Sequence, residues 1–287
     1  MPTLPFLDRE EYIEQAYFFR VLRERIASNM ATQEVLEGVH DEILSTTRLP
    51  LAIQFLATEL KHSGLLSSGF ARLAHYFTPY QTFLVRQTEN EGLRFSIATA
   101  LLVLEREAAF KAGEPRAAGL FVFQFEVLSR NRLGYDEGLR SMMEEPLYDA
   151  DWRAYLEIVR RQVGLVDFAD LVYLRSEMYV LEQRRQNTEY APPVPPLFGE
   201  KEGKIARANR GKDPLYLFAA LQRQLGYPEV PRPRLPDDTE SKLISLTAKM
   251  RELETRLQLV ESETRGQLDL SQFLKKPGDG FPGDDVR

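Results

Sequence analysis

Two carboxylate–imidazole pairs are the residues of this sequence whose spacing comes closest to known chemistry. Each pair has the form Glu-x-x-His, first as Glu37 and His40 and then as Glu59 and His62. Residues three positions apart share one face of a helix, so each pair would direct one carboxylate and one imidazole to the same side. Two such pairs plus two further carboxylates form the metal centre of di-iron four-helix bundles. These four residues are the candidate metal ligands of the chain.

The placement of the two pairs weakens the metal hypothesis. In di-iron bundles the motifs lie on non-consecutive helices, whereas here they fall on neighbouring short ones. His62 also falls at the C-terminal end of its helix, where a cation suits the helix dipole without any metal. The remaining ligands would have to come from residues such as Glu14, Asp170 or Glu177. We therefore expect no cofactor and keep a carboxylate–histidine metal enzyme as the alternative hypothesis.

Other catalytic patterns are missing from the sequence. It has no phosphate-binding G-x-x-x-x-G-K-[ST] loop, no G-x-G-x-x-G after a strand, no G-x-S-x-G elbow and no H-E-x-x-H. The absence of cysteine excludes disulfides, thiolate ligands and a cysteine nucleophile, and it is compatible with a reducing compartment. The net charge of −6 gives no general attraction to nucleic acid or anionic lipid. We therefore do not expect nucleic-acid binding.

Capping residues and hydrophobic periodicity predict a succession of helices from residue 8 to residue 185. Asp8 followed by Glu11 fits a capping box, Thr78 before a proline is typical of a helix start, and Gly64 is typical of a helix end. The run GLFVFQFEVL alternates phenylalanines as a strand would, but no partner strand lies nearby in sequence, so a buried helix is predicted there. Together these features predict an all-α fold, with an irregular domain of about ten helices over residues 6–190.

The stretch over residues 164–185 is predicted to be one central, buried helix, because apolar residues fall on two of its sides. Its narrow charged seams contain Asp170, Arg175, Glu177 and Glu182. Buried charges need partners. We expect these partners to be arginines of adjacent helices, namely Arg130, Arg132, Arg160 and Arg161.

Beyond residue 190 the composition changes abruptly to APPVPPLFGE, which cannot continue a helix. A Pro-rich and basic linker is predicted over residues 191–212, a short amphipathic helix over 213–226 and a second Pro-rich linker over 227–238. The basic residues of the first linker are Lys201, Lys204, Arg207, Arg210 and Lys212. They could contact phosphate, but no aromatic residues lie among them to stack on bases, which favours a solvated connector. A chain that ends near Arg185 is therefore expected to fold.

The segment over residues 239–265 has the spacing of a coiled coil. Its apolar residues follow one another at intervals of three, four, three, four and three, and they are Leu243, Leu246, Met250, Leu253, Leu257 and Val260. The intervals define a heptad with these side chains at positions a and d. In a parallel pair, Lys249 at position g faces Glu254 at the following position e. The segment is predicted to form a parallel homodimer, and residues 266–287 are predicted to be a mostly disordered tail.

These observations favour a non-enzymatic interaction or scaffold protein. A helical domain would bind a protein partner whose identity the sequence does not give, and the coiled coil would join two copies of the chain. No run of apolar residues is long enough to cross a bilayer, so no membrane insertion is expected. Because the N-terminus also lacks the features of a signal peptide, the protein is expected in the cytoplasm.

Overall fold

The structure is a computed structural model that describes residues 6–90, 92, 95–232, 246, 247, 249, 250, 253 and 254. The chain divides into two compact units, Met1–Pro233 and Arg234–Arg287. The first unit, which we call the helical body, contains all of the helices that carry the core.

Within residues 6–232, the described residues form thirteen α-helices and one 3-10 turn, and none of the described residues lies in a strand apart from two isolated bridges. The predicted all-α fold is therefore confirmed. In chain order the helices are α1 (Arg9–Ala27), α2 (Thr32–Val39), α3 (Leu49–Ser63), α4 (Leu66–Arg72), α5 (Pro79–Thr88), α6 (Ile97–Lys111), α7 (Ala117–Arg130), α8 (Tyr135–Met143), α9 (Ala150–Gln162), α10 (Phe168–Leu174), α11 (Glu177–Gln186), α12 (Glu200–Ala208) and α13 (Pro214–Leu225); the 3-10 turn (His40–Glu42) follows α2.

Several predicted helix boundaries coincide with caps in the structure. The Thr78 side chain accepts a hydrogen bond from the backbone N–H of Gln81, whose own side chain closes a capping box. Helices α3 and α13 end on Gly64 and Gly226, both with left-handed backbone. The capping box predicted for Asp8 and Glu11 is wrong, because Asp8 makes no side-chain cap. Glu11 instead accepts hydrogen bonds from the Arg48 backbone N–H and the Tyr76 hydroxyl, at 2.8 and 2.6 Å.

Helix α7, which contains the run GLFVFQFEVL, is the central helix of the fold. Every residue from 119 to 128 is buried, so this helix has no face toward solvent. Phe121 contacts the rings of Trp152 and Phe198, while Phe125 stacks on Phe168 with 4.1 Å between ring centroids. Elements on several sides of α7 thus bury its phenylalanines, and the helical prediction for this run is confirmed.

The single helix predicted over residues 164–185 is wrong. The structure breaks it into α10 and α11, because Ser176 caps α11 and accepts from the backbone N–H of Tyr179 at 3.3 Å. At the break the carbonyl of Arg175 accepts from the backbone N–H groups of Leu197 and Phe198. The stretch is also less buried than predicted, since Leu165 is 85% exposed.

The expected partners of the charged seams are also different. Asp170 pairs with Arg210 at 2.5 Å, and Glu182 pairs with Arg207, so both partners come from the region after α11. Arg175 donates to the carbonyl of Pro195 at 3.1 Å. Three of the arginines that we expected as partners of these charges pair elsewhere. Arg130 pairs with Glu126, Arg160 with Asp136 and Glu157, and Arg161 with Glu157.

The region predicted as a linker over residues 191–212 is packed structure. Phe198 is 2% exposed and contacts the rings of Trp152 and Tyr155. Helix α12 follows it and lies so close to the start of α11 that a Cβ on Gly203 would be 2.6 Å from the Cβ of Met178. The linker was predicted from the proline content. The prolines occupy only a few residues between α11 and the buried Phe198.

Helix α13 is present where the sequence predicted it, and it packs on α7 and α10. Its Phe218 ring contacts Phe125 and Phe168 at 6.3 and 5.6 Å. The predicted second linker, residues 227–238, begins with core residues, since Tyr227 and Val230 are each 3% exposed. Residues 233–238 and the tail over 266–287 lie outside the described residues.

Of the six predicted coiled-coil residues, Leu246, Met250 and Leu253 are helical and exposed, while Leu243, Leu257 and Val260 lie outside the described residues.

Replacing Phe198 by alanine should destabilise the helical body by about 3–5 kcal/mol, because it empties a buried aromatic position. Urea unfolding of the full chain, followed by circular dichroism, measures the change. Val194→Ala in the same segment is the control, since Val194 is 46% exposed and should change the free energy of unfolding by less than about 0.5 kcal/mol. Equal effects of the two substitutions would show that Phe198 is not an anchor.

Ending the chain at Arg185 should abolish cooperative unfolding, because it removes Phe198 and Phe218 from the aromatic core. Ending it at Arg232 should keep the thermal transition of the full chain, since the compact unit extends to residue 233. Calorimetry of the two fragments checks this expectation. A cooperative transition in the shorter fragment would restore the boundary that the sequence predicted at residue 190.

Candidate functional site

The four predicted metal ligands lie on α2, the 3-10 turn and α3, and two of them are held by other partners. Glu37 pairs with Lys61 at 2.5 Å, and hydrogen bonding to that ammonium lowers the pKa of the carboxyl. Glu59 accepts a hydrogen bond from the Ser68 hydroxyl at 2.8 Å and pairs with Arg72. Both carboxylates are therefore engaged by donors of the chain itself.

Three of the four residues meet in one groove between α2 and α3, which we call the polar groove. It has a volume of about 590 Å³ and is lined by residues that include Glu37, His40, Gln54, Thr58, Lys61 and His62. Glu59 is not among its lining residues, because its hydrogen bonds hold it against α4. Within the described part of the chain, no group of three or more His, Asp or Glu side chains is placed to hold a metal ion. The predicted set of four is thus not assembled around one point.

A second groove lies on the other side of α3, and we call it the apolar groove. It has a volume of about 310 Å³, and its lining includes Arg48, Leu51, Ala52, Phe55, His75 and Tyr76. Leu51 is 71% exposed and Phe55 37%. The third histidine of the chain, His75, lies here, so all three histidines face the grooves that flank α3. The sequence did not single out Leu51 and Phe55, although both stand where an outward helix position is usually polar.

A buried charged cluster is the most unusual site of the interior, and sequence reasoning missed it. The Lys111 ammonium lies 2.9 Å from a carboxylate oxygen of Glu145 and 3.1 Å from one of Glu107. Gln124 donates from its amide to Glu107 at 2.7 Å and accepts from the Tyr148 hydroxyl at 2.8 Å. Each of these five side chains is at most 1% exposed. We refer to them as the Lys111 cluster.

Two carboxylates share one ammonium in the Lys111 cluster, which leaves an excess negative charge in the interior. Burial raises the pKa of Glu145 despite the neighbouring Lys111. Burial also disfavours the charged form of Lys111, yet the carboxylates outweigh it and raise the pKa of the ammonium.

The surroundings of the Lys111 cluster indicate a structural role. Tyr80 donates to the backbone carbonyl of Gln124 at 3.2 Å, and burial raises the pKa of Tyr80 and of Tyr148, so both hydroxyls stay protonated. A substrate would reach Lys111 only if the helices opened. The sequence offered a partial signal, since Glu107 and Lys111 are four positions apart on an apolar helix. Nothing in it indicated Glu145, which lies 34 positions away.

The basic residues after Ala191 are largely matched by carboxylates. Lys204 pairs with Glu200 at 2.5 Å, in addition to the pairs of Arg207 and Arg210 described above. These ion pairs reduce the positive charge available to a phosphate ligand.

No protein-family model, curated protein or solved structure matches this chain.

Replacing Lys111 by methionine should destabilise the fold by about 3–5 kcal/mol, because two buried carboxylates lose their cation. Urea unfolding at pH 7 measures the effect. Lys204→Met is the matched control: its side chain is 58% exposed, and loss of a surface ion pair should cost at most about 1 kcal/mol. Similar losses in both variants would contradict the assignment of a stabilising role to the Lys111 cluster.

Glu145 should make stability depend on pH. Because its folded-state pKa is raised above the ordinary value of 4.5, its contribution is complete below that value and is lost as pH rises through the folded-state pKa. The Glu145→Gln variant imitates the protonated carboxyl and cannot titrate. Its free energy of unfolding should therefore increase relative to that of the native chain as pH rises from about 4.5 through the folded-state pKa of Glu145. Parallel pH profiles for the two proteins would contradict a raised pKa of Glu145.

Proposed function

We propose that this chain is a non-enzymatic interaction protein whose helical body binds a protein partner and whose C-terminal coiled coil joins two copies in parallel. The observation that carries the proposal is the exposure of Leu246, Met250 and Leu253, which are helical and 57%, 61% and 62% exposed in the single chain. Three large apolar side chains at a and d spacing favour burial against a second helix.

The charges of the segment support a parallel arrangement. Lys249 and Arg256 occupy g positions, while Glu254 and Glu261 occupy e positions. In a parallel pair each g residue meets an opposite charge at the following e position, whereas an antiparallel pair sets g against g and brings like charges together. Each exposed pair contributes only a few tenths of a kcal/mol to association. The pairs therefore act mainly by favouring the parallel orientation over the antiparallel one.

The helical body supplies the second half of the proposal. The polar and apolar grooves flank the exposed side chains of α3, while the Lys111 cluster is closed to ligands. These features fit a binding surface better than a reaction chamber. Among the described residues, no helix is both long and apolar enough to cross a bilayer. We include residence in the cytoplasm in the proposal, with which a chain without cysteine is compatible.

Sedimentation equilibrium tests the self-association. The full chain should be dimeric at tens of micromolar, since each buried a or d side chain contributes roughly 1.5–3 kcal/mol before entropy is subtracted. Leu253→Glu, at a central d position, should give a monomer with unchanged helical content in the body. Thr255→Glu introduces the same charge at the outward f position and should leave the dimer intact. A monomeric native chain, or a dimeric Leu253→Glu variant, would remove the coiled coil from the proposal.

A further inference from the structure

A pocket with a volume of about 240 Å³ lies at the break between α10 and α11, and we call it the proline pocket. Its lining combines the end of α10 and the start of α11 with residues 192–196, four of which are proline. This proline stretch is held on both sides: Arg184 donates to the carbonyl of Tyr190 at 3.2 Å, and Phe198 is 2% exposed. Because proline has a fixed φ, this part of the lining keeps its shape before a ligand binds.

Arg175 is the charged residue of the proline pocket, and no carboxylate contacts it. Among the described residues that line the pocket there is neither an acidic residue nor a second cation. The guanidinium donates from Nη2 to the neutral carbonyl of Pro195 at 3.1 Å, and its Cζ lies 5.2 Å from the ring centroid of Tyr155. Its Nε is shielded from solvent and has no hydrogen-bond partner among the described residues. No carboxylate of the described chain forms an ion pair with it.

The surroundings of Arg175 stabilise its charge less than water does. Burial lowers the pKa of the guanidinium, and this effect outweighs the attraction of Asp151. The guanidinium nevertheless keeps its proton at neutral pH, because its ordinary pKa lies far above 7. Arg207 and Arg210, which follow the same proline stretch in sequence, are by contrast paired with carboxylates of the chain. A partly buried cation that lacks a counter-charge and lines a pocket gains from contact with an anionic ligand.

We propose that the proline pocket binds a small organic carboxylate. The acid group would pair with the guanidinium of Arg175, and the apolar body would lie among Leu174, Val194 and the prolines. A guanidinium presents its N–H groups in one plane, which matches the two oxygens of a carboxylate. Tyr179 and Tyr190 also line the pocket, so their rings offer contacts to an aromatic body.

The size and the charge of the pocket limit the ligand further. A volume of about 240 Å³ is below the roughly 300 Å³ at which pockets for drug-sized ligands begin, so the ligand has a single ring or a short chain. A phosphate group carries more negative charge and three acceptor oxygens, for which one guanidinium supplies too few partners. The pocket therefore favours a carboxylate with one negative charge. This inference goes beyond the proposed function, because it depends neither on the protein partner nor on the coiled coil.

The probes are phenylacetate and its neutral amide, phenylacetamide, which share one apolar body. Each is titrated into the full chain at pH 7, and binding is followed by saturation-transfer difference NMR and by the fluorescence of Trp152, the only tryptophan. Trp152 reports on the pocket because its ring contacts that of Tyr155, over which the guanidinium of Arg175 lies. We expect phenylacetate to bind saturably and at least tenfold more tightly than the amide.

Two substitutions test the role of Arg175 in different ways. Arg175→Met removes the cation, whereas Leu174→Glu keeps it and adds a competing carboxylate at a lining residue that is 48% exposed. Each should weaken the binding of phenylacetate at least tenfold, because the acid group no longer meets an unpaired cation. Arg140→Met and Leu165→Glu are the matched controls. They make the same changes outside the pocket, at side chains that are 64% and 85% exposed, and should bind phenylacetate like the native chain.

Thermal melts of each variant without ligand separate lost binding from lost folding, and Leu174→Glu decides the question if Arg175→Met does not fold. The inference is overturned if phenylacetate shows no saturable binding at millimolar concentration, if acid and amide bind equally, or if Leu174→Glu binds like the native chain. Inorganic phosphate that binds the native chain more tightly than phenylacetate and displaces it would show a phosphate site, which also overturns the inference. The Leu253→Glu chain should bind phenylacetate like the native chain, so failure of the dimer and failure of the pocket are observed separately.

Discussion

The fold depends on the need to surround a helix that has no polar face. Every residue of α7 from 119 to 128 is buried, so neighbours must cover it on all sides. This requirement explains why segments far apart in sequence converge on it. Phe198 covers Phe121 from beyond the proline cluster, and Phe218 covers Phe125 from α13. A chain without these later segments would lose part of the aromatic cover of Phe121 and Phe125.

The same helix brings polar groups into the interior, and their hydrogen bonds organise the residues around it. Within the Lys111 cluster, Gln124 connects Glu107 to Tyr148, while Glu126 accepts from the hydroxyl of Tyr227 at 2.7 Å and pairs with Arg130. An unsatisfied buried group costs roughly 1–3 kcal/mol, more when charged. Tyr227 is therefore held by a hydrogen bond as well as by the burial of its ring. This helps to explain why the segment that was predicted to be a linker begins inside the core.

Local patterns predicted the fold class and many element ends, whereas long-range pairing was beyond them. Thr78, Gly64 and Gly226 act through their nearest neighbours, so their types alone indicated where helices start and stop. The break at Ser176 depends on bonds between Arg175 and residues more than twenty positions later. Glu145 meets Lys111 only because α6 and the end of α8 are held together by the rest of the fold. Glu59 shows a related effect: spacing fixes its face of α3, but its hydrogen bonds to Ser68 and Arg72 of α4 hold it away from the polar groove.

The contrast between the closed interior and the exposed side chains of α3 bears on function. The Lys111 cluster and the aromatic residues around α7 make their contacts within the chain and are closed to a partner. On α3, Leu51 and Phe55 are exposed beside the apolar groove, where the hydroxyl of Tyr76 is held by the carboxylate of Glu11. A rigid body beneath such a surface loses little conformational freedom when a partner binds. If two such bodies are joined, a partner with two binding segments would bind with an effective local concentration that a single body cannot provide. The interior and the coiled coil would then serve the same end, one by holding the binding surface rigid and the other by doubling it.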